Sequence, residues 1–158
     1  MAEGSGAETI KGGLIVSDSS RTTFTASAPF LTAAGARAVL DAALAQAARM
    51  GVPQCVAVVD AGGHLLAFAR ADGARIGSIS VAQTKAVSAA TRLRPTAEEG
   101  GGDALTTIRL ALAAERVTGI GGGLPIVVDG TVVGGIGVSS GTTDQDLEVA
   151  RAGLAALG

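Results

Sequence analysis

Apolar positions recur at helical spacing from Thr32 onward. Leu40, Leu44 and Ala47 line one face, while Arg37, Asp41, Gln46 and Arg49 fall on the other. This spacing predicts an amphipathic helix. Thr32 is placed to cap its start, and Gly51 with Pro53 to end it. The period then changes to two. Residues 54–59 and 64–70 read as strands around a glycine turn at residues 60–63. Helical spacing returns over residues 78–91, with Ser78 as N-cap and Ile79, Ala82, Ala86 and Ala90 as the apolar stripe. Arg94-Pro95-Thr96 breaks it. Residues 97–103 read as loop, and Asp103 then caps a short helix carrying Leu105, Ile108 and Leu112.

The strongest hairpin signal is Asp129-Gly130, between strands over residues 124–128 and 131–138. A last helix runs over residues 143–157, burying Leu147, Ala150, Leu154 and Leu157. Asp144, Asp146 and Glu148 fall in its first turns, where the helix dipole favours acids. The order predicts an α+β fold, an antiparallel sheet covered by helices. Residues 14–16 or 22–25 can add one more strand. Residues 1–12 read as a disordered start, and residues 13–158 as a single domain.

Composition narrows the function. The chain has 158 residues, with 12 basic and 14 acidic side chains. That balance gives no footprint for nucleic acid. One Cys and one His cannot build a Cys/His zinc set, so no metal site is expected. A single Cys excludes an intrachain disulfide framework and suits the reducing cytoplasm. No stretch reaches the length of a membrane span. The motif of a Walker phosphate loop is absent, and Gly121-Gly122-Gly123 does not fit the dinucleotide fingerprint.

The 24 glycines are informative in their placement. By alternation, the last strand shows Val132, Gly134, Ile136 and Val138 on one face. Val133, Gly135, Gly137 and Ser139 lie on the other, which is bare beyond Val133. Strand glycine costs stability, so something should approach that backbone closely. A tightly packed helix or a bulge would do so. So would a flat ligand or a partner subunit. If the turn sets the register, Val128 faces Thr131 and Leu124 faces Gly135. Gly121-Gly122-Gly123 then lies near the bare end. Beyond it, residues 139–143 offer backbone N–H groups and hydroxyls that suit either a helix cap or an anionic ligand.

Few side chains carry chemistry. Pairing of Val59 with Leu65 sets His64 opposite Asp60, about 17 Å from Cys55 at strand rise, so Cys55 and His64 form no dyad. Cys55 reads as a small buried hydrophobe. His64 is a turn residue with the chemistry of an acid/base or a haem ligand. Lys85 lies away from the apolar stripe, either solvated or aimed at an anionic ligand at an interface. Asp60, Arg70 and Asp72 flank the first hairpin as turn acceptor and ion pair, or as anchors of a pocket.

Several segments together resemble a known family. They are residues 58–74, containing Val59-Asp60-Ala61-Gly62-Gly63-His64-Leu65 and Arg70-Ala71-Asp72-Gly73; Ser78, Ala82 and Lys85-Ala86; and Arg94-Pro95-Thr96. They continue with Gly121-Gly122-Gly123-Leu124-Pro125-Ile126, Asp129-Gly130 and Val133-Gly134-Gly135-Ile136-Gly137-Val138-Ser139-Ser140-Gly141, then Asp144, Asp146 and Ala150. Over about residues 31–157 the chain resembles the GlcG/HbpS family, which includes the C-terminal domain of PduO-type proteins. The resemblance implies a five-stranded antiparallel sheet with helices packed on it, in profilin-like layers. It implies homo-oligomers, from dimers up to octamers, and haem as a ligand of some members. Secreted haem-binding members carry an export signal, and none is visible here.

The expected function is a cytoplasmic, homo-oligomeric protein that binds a carboxylated metabolite or a tetrapyrrole. Its expected ligand contacts are Asp60, Arg70, Gly121, Gly122, Gly123, Pro125, Gly137, Ser139, Ser140 and Gly141. Lys85 and His64 are further polar anchors. In a second reading they transfer protons in a cofactor-independent isomerase, hydratase or cyclase. In a third the chain is a non-catalytic partner subunit.

Overall fold

A computed structural model describes residues 26–97, 105 and 116–158, with the backbone of two short strands before them. Those strands, β1 (Thr9–Ile10) and β2 (Gly13–Leu14), pair only with each other. Helix α1 (Ala33–Met50) begins where the Thr32 side chain accepts from the Gly35 N–H. It ends at Gly51, whose φ of 66° is the left-handed cap that glycine adopts without penalty. Strands β3 (Cys55–Asp60) and β4 (Leu65–Arg70) form the first hairpin, with Val59 opposite Leu65 as expected. Helix α2 (Ser78–Arg92) follows. Gly77 occupies its cap position with no side-chain cap bond, so Ser78 is the buried first helical residue and not the cap.

Strands β5 (Gly123–Val128) and β6 (Thr131–Ser139) meet at Asp129-Gly130, both at positive φ. Helix α3 (Thr143–Leu154) opens with a capping box between Thr142 and Gln145. The chain then tightens into a 3₁₀ turn over Ala155–Leu157, which carries Leu157 off the buried stripe and leaves it 38% exposed. The short helix expected from Asp103 lies outside the described residues, apart from Leu105.

The sheet order is β4-β3-β6-β5, antiparallel throughout. It has four strands among the described residues, not the five expected; of the stretches that could add one, Leu14 belongs to β2, while residues 15–16 and 22–25 lie outside the described residues. Strand β3 is central and buried on both faces. Cys55, Ala57 and Val59 face α2 with Ala82, Ala86 and Ala90. Val56 and Val58 face the opposite layer, where α1 and α3 bring Val39, Leu40, Ala43, Val149 and Ala150. The molecule is therefore α2, sheet, then α1 with α3. No helix among the described residues is long and apolar enough to cross a membrane.

The second hairpin departs from simple register. Val128 does face Thr131, but the register shifts between Ile126 and Val127, so Leu124 faces Ile136 and not Gly135. The irregularity also moves Val133 onto the face of Ile136 and Val138, in the α1/α3 core.

The bare glycine face is covered by α2. A Cβ on Gly137 would strike the Ala82 carbonyl oxygen and the Ala86 nitrogen; one on Gly135 would strike the Ala86 carbonyl oxygen. Gly123, paired with Gly137, lies against the Lys85 carbonyl in the same way. The helix rests on the sheet backbone to backbone. Of the readings open for this face, the tightly packed helix is the one observed, and the flat ligand or partner subunit is corrected, since no room remains between Gly137 and α2.

Candidate functional site

Close seating of α2 determines where Lys85 goes. Its side chain is 2% exposed, and its Nζ donates to Asp146 Oδ2 at 2.7 Å and to the Val138 carbonyl at 2.8 Å. Asp146 accepts further from the Gly141 N–H at 3.0 Å and from Gln54 Nε2 at 3.1 Å. Gln54 is fully buried, and its Oε1 has no hydrogen-bond partner among the described residues. Burial pushes the Lys85 ammonium below its ordinary pKa and the Asp146 carboxyl above its own, and each pulls the other partway back. The solvated reading of Lys85 is corrected: its anion is the chain's own Asp146, 61 residues away.

The glycines of both loops close around this pair. Gly122, at φ 108°, leaves 2.9 Å between a would-be Cβ and Lys85 Nζ, and Gly121 lies against Thr143. Ser139 is buried on β6 opposite Cys55. Ser140 holds a φ of 109°, uncommon for a residue with a side chain. Arg75 fixes it there, donating its backbone N–H to Ser140 Oγ at 3.0 Å and its guanidinium to the Ser140 carbonyl at 2.6 Å.

His64 stands elsewhere, at the tip of the first hairpin. Asp60 Oδ1 accepts the His64 backbone N–H at 2.8 Å, and both carboxylate oxygens lie 3.2 Å from Nδ1. That backbone bond is the main reason the Asp60 carboxyl sits below its ordinary value. The imidazole side chain is 80% exposed. Asp60 selects the tautomer with the proton on Nδ1 and leaves the Nε2 lone pair free. Gly63 at φ 81° seats the turn against Val87, and Arg116 donates to the Gly63 carbonyl at 3.3 Å.

Arg70 ends β4 opposite Cys55, six residues from His64 along one strand, or roughly 20 Å at strand rise. It therefore does not share a site with His64 within one chain. It borders a groove of about 450 Å³ between the end of α1 and the end of β4. Pro125 lines a separate hollow of about 400 Å³ with Leu154 and Leu157. Cys55 is free and fully buried, and burial pushes its thiol up. Among the described residues no three His, Cys, Asp or Glu side chains converge as a metal set.

Sequence reasoning missed Asp146, Gln54 and Arg75. A signal for Asp146 existed: it stands at i, i+3, i+4 and i+7 spacing with buried Val149, Ala150 and Gly153.

Comparison with known proteins agrees with this architecture. An uncharacterized 15.0 kDa protein of the dhaT-dhaS intergenic region of Citrobacter freundii is 34% identical over 128 residues, 78% of this chain and 89% of that one. The crystal structure of a double mutant of Streptomyces reticuli HbpS superposes with a TM-score of 0.75 at 31% identity, covering 91% of this chain and 96% of the other. A crystal structure of PduOC in complex with haem gives 0.69 at 25% identity, covering 81% and 95%. A family model of haem-degrading, HbpS-like proteins matches residues 31–155, and the chain belongs to that family.

Proposed function

We propose that this chain is a small-molecule-binding protein whose ligand is a carboxylate-bearing tetrapyrrole, taken up at His64. The observation that carries the reading is the Asp60-held imidazole, 80% exposed with Nε2 free. The Nε2 of His64 would hold a haem iron, with the Asp60 carboxylate on the other ring nitrogen fixing the ring's orientation. The Arg116 guanidinium beside Gly63 supplies a cation close to this turn for a propionate. The relative crystallised with haem supports the same ligand class.

The enzymatic alternative, an isomerase, hydratase or cyclase, would rest on His64, because Lys85 is buried and ion-paired. Homo-oligomerisation belongs to the proposal, and the exposure of Phe30 (79%), Ile76 (74%) and Leu93 (65%) supports it. The free buried Cys55 suits the cytoplasm.

Haemin titration tests the reading. A saturating Soret shift is expected for the parent, with its loss in His64→Ala at unchanged circular dichroism. Asp60→Asn should weaken binding about 10–100-fold by releasing the ring. An absent shift, or one that His64→Ala leaves intact, would overturn the assignment. Native mass spectrometry of the same samples reads subunit number and retained ligand together.

A further inference from the structure

The tip of the second hairpin sets an unheld carboxyl beside an unshielded backbone nitrogen. Asp129 and Gly130 form the turn, at φ 48° and 74°, and both are exposed. The Asp129 carboxylate makes no hydrogen bond or ion pair with any described residue, and the Gly130 N–H has no partner among them either. Nothing lies within 4 Å of a Cβ built on Gly130. Asp60 differs on both counts: His64 holds its carboxylate, and alanine follows it.

An aspartate followed by glycine can react with its own backbone. The Gly130 nitrogen bonds to Asp129 Cγ, and the protonated carboxyl loses its hydroxyl with the amide hydrogen as water. A five-membered succinimide results. Water then adds back at either ring carbonyl. Addition at Cγ restores aspartate. Addition at the main-chain carbonyl breaks its bond to nitrogen, so the chain runs on through Cγ as isoaspartate and the main-chain carboxylate is freed. Water lost in the first step is regained in the second.

Ring closure rotates the peptide between the two residues, so it proceeds while the turn is open. Opening is local at this hairpin. β5 is an edge strand, and its register breaks between Ile126 and Val127. Beyond that break only Val127–Val132 and Val128–Thr131 tie the tip, and both valines of β5 are exposed. Parting these pairs uncovers little buried surface. Asp72-Gly73 is the other such dipeptide of the chain, and its turn is pinned. The Ala74 N–H donates to the Ala71 carbonyl and the Ala71 N–H to the Gln54 carbonyl, each at 3.0 Å. Ala74 is buried, and Pro53 lies against Gly73.

We infer that Asp129-Gly130 is a modification site: it isomerises to isoaspartate in the folded protein, and the product is a substrate for an isoaspartyl carboxyl methyltransferase. Such an enzyme moves a methyl group from the sulfonium of S-adenosylmethionine to the freed carboxylate oxygen and releases S-adenosylhomocysteine. The isoaspartyl linkage adds one atom to the backbone of a two-residue turn, which loosens the Val128–Thr131 pair that the turn sets. None of this depends on the ligand at His64.

Warm incubation of the full chain at neutral pH is the test. The readouts are methyl incorporation from labelled S-adenosylmethionine by a purified isoaspartyl methyltransferase, and peptide mapping with electron-transfer fragmentation. Isoaspartate is expected at residue 129, preceded by a species lighter by one water, at several times the level at residue 72. In urea the two dipeptides lose their different surroundings and should react alike. Asp129→Glu should remove most of the methyl acceptor, since glutamate would have to close a slower six-membered ring. The contrast between folded and unfolded parent stands even where that variant weakens the turn. No isoaspartate at residue 129, equal levels at 129 and 72 in the folded protein, a ratio that urea leaves unchanged, or incorporation that survives Asp129→Glu would overturn the inference.

Discussion

Gly137→Ala is expected to cost about 3 kcal/mol or more, a large share of the roughly 5–15 kcal/mol of an ordinary domain. The added methyl group would strike the backbone of α2 at Ala82 and Ala86, not the end of a flexible side chain. Backbone atoms of a helix cannot step aside singly. The whole of α2 would have to lift from the sheet, exposing Ala57, Val59, Ala82 and Ala86 together and straining the Lys85–Asp146 contact. Gly77→Ala is the control. Its conformation is ordinary right-handed helix, nothing lies within 4 Å of the new Cβ, and the substitution should be neutral or slightly stabilising. Urea midpoints for the two variants check the contrast. A Gly137→Ala protein that melts with the parent would mean that α2 is not seated on bare backbone.

The same glycines mark how far the chain could be read without coordinates. Local signals were legible. Thr32, Gly51 and Asp129-Gly130 each act within a few residues, and the helix and hairpin boundaries they predict are the ones observed. The bare face of β6 was legible as a close approach. What approaches it was open, because several objects satisfy a glycine. The small residues of α2 that face it, Ala82, Ala86 and Ala90, were read only as a stripe. The bulge at Ile126/Val127 was not legible, since an inserted residue answers to packing on both sheet faces and not to the turn. At the candidate sites, the His64–Asp60 contact followed from hairpin register. The Lys85–Asp146–Gln54 cluster did not, because its members come from three distant parts of the chain. The sequence leaves Lys85 either solvated or aimed at an anion, and the sign of its burial is that it continues the buried positions Ser78 and Ala82 at i+7 and i+3.

That buried pair leads to the other large effect. Lys85→Met should cost about 3–5 kcal/mol at neutral pH, because it leaves the Asp146 charge in the interior without its cation. The deficit should also depend on pH in a defined direction. Burial already holds the Asp146 carboxyl above its ordinary value of 3.8, and removing Lys85 takes away the largest force opposing that rise. A carboxyl whose folded pKa exceeds its unfolded one favours the folded state at low pH. That contribution is fully present below the unfolded value and is lost as pH rises through the folded value. The deficit of Lys85→Met should therefore shrink as pH is lowered from neutral toward 3.8. Asp146→Leu in the same background should recover most of the loss at neutral pH, since burial outweighs attraction for both partners and an apolar pair of similar volume has no charge to desolvate. A double-mutant cycle followed by urea unfolding across that pH range measures both effects. A deficit that stays constant with pH, or a double variant as unstable as Lys85→Met alone, would show that Lys85 acts through the packing of its methylenes under Gly122 and Gly137 and not through its charge.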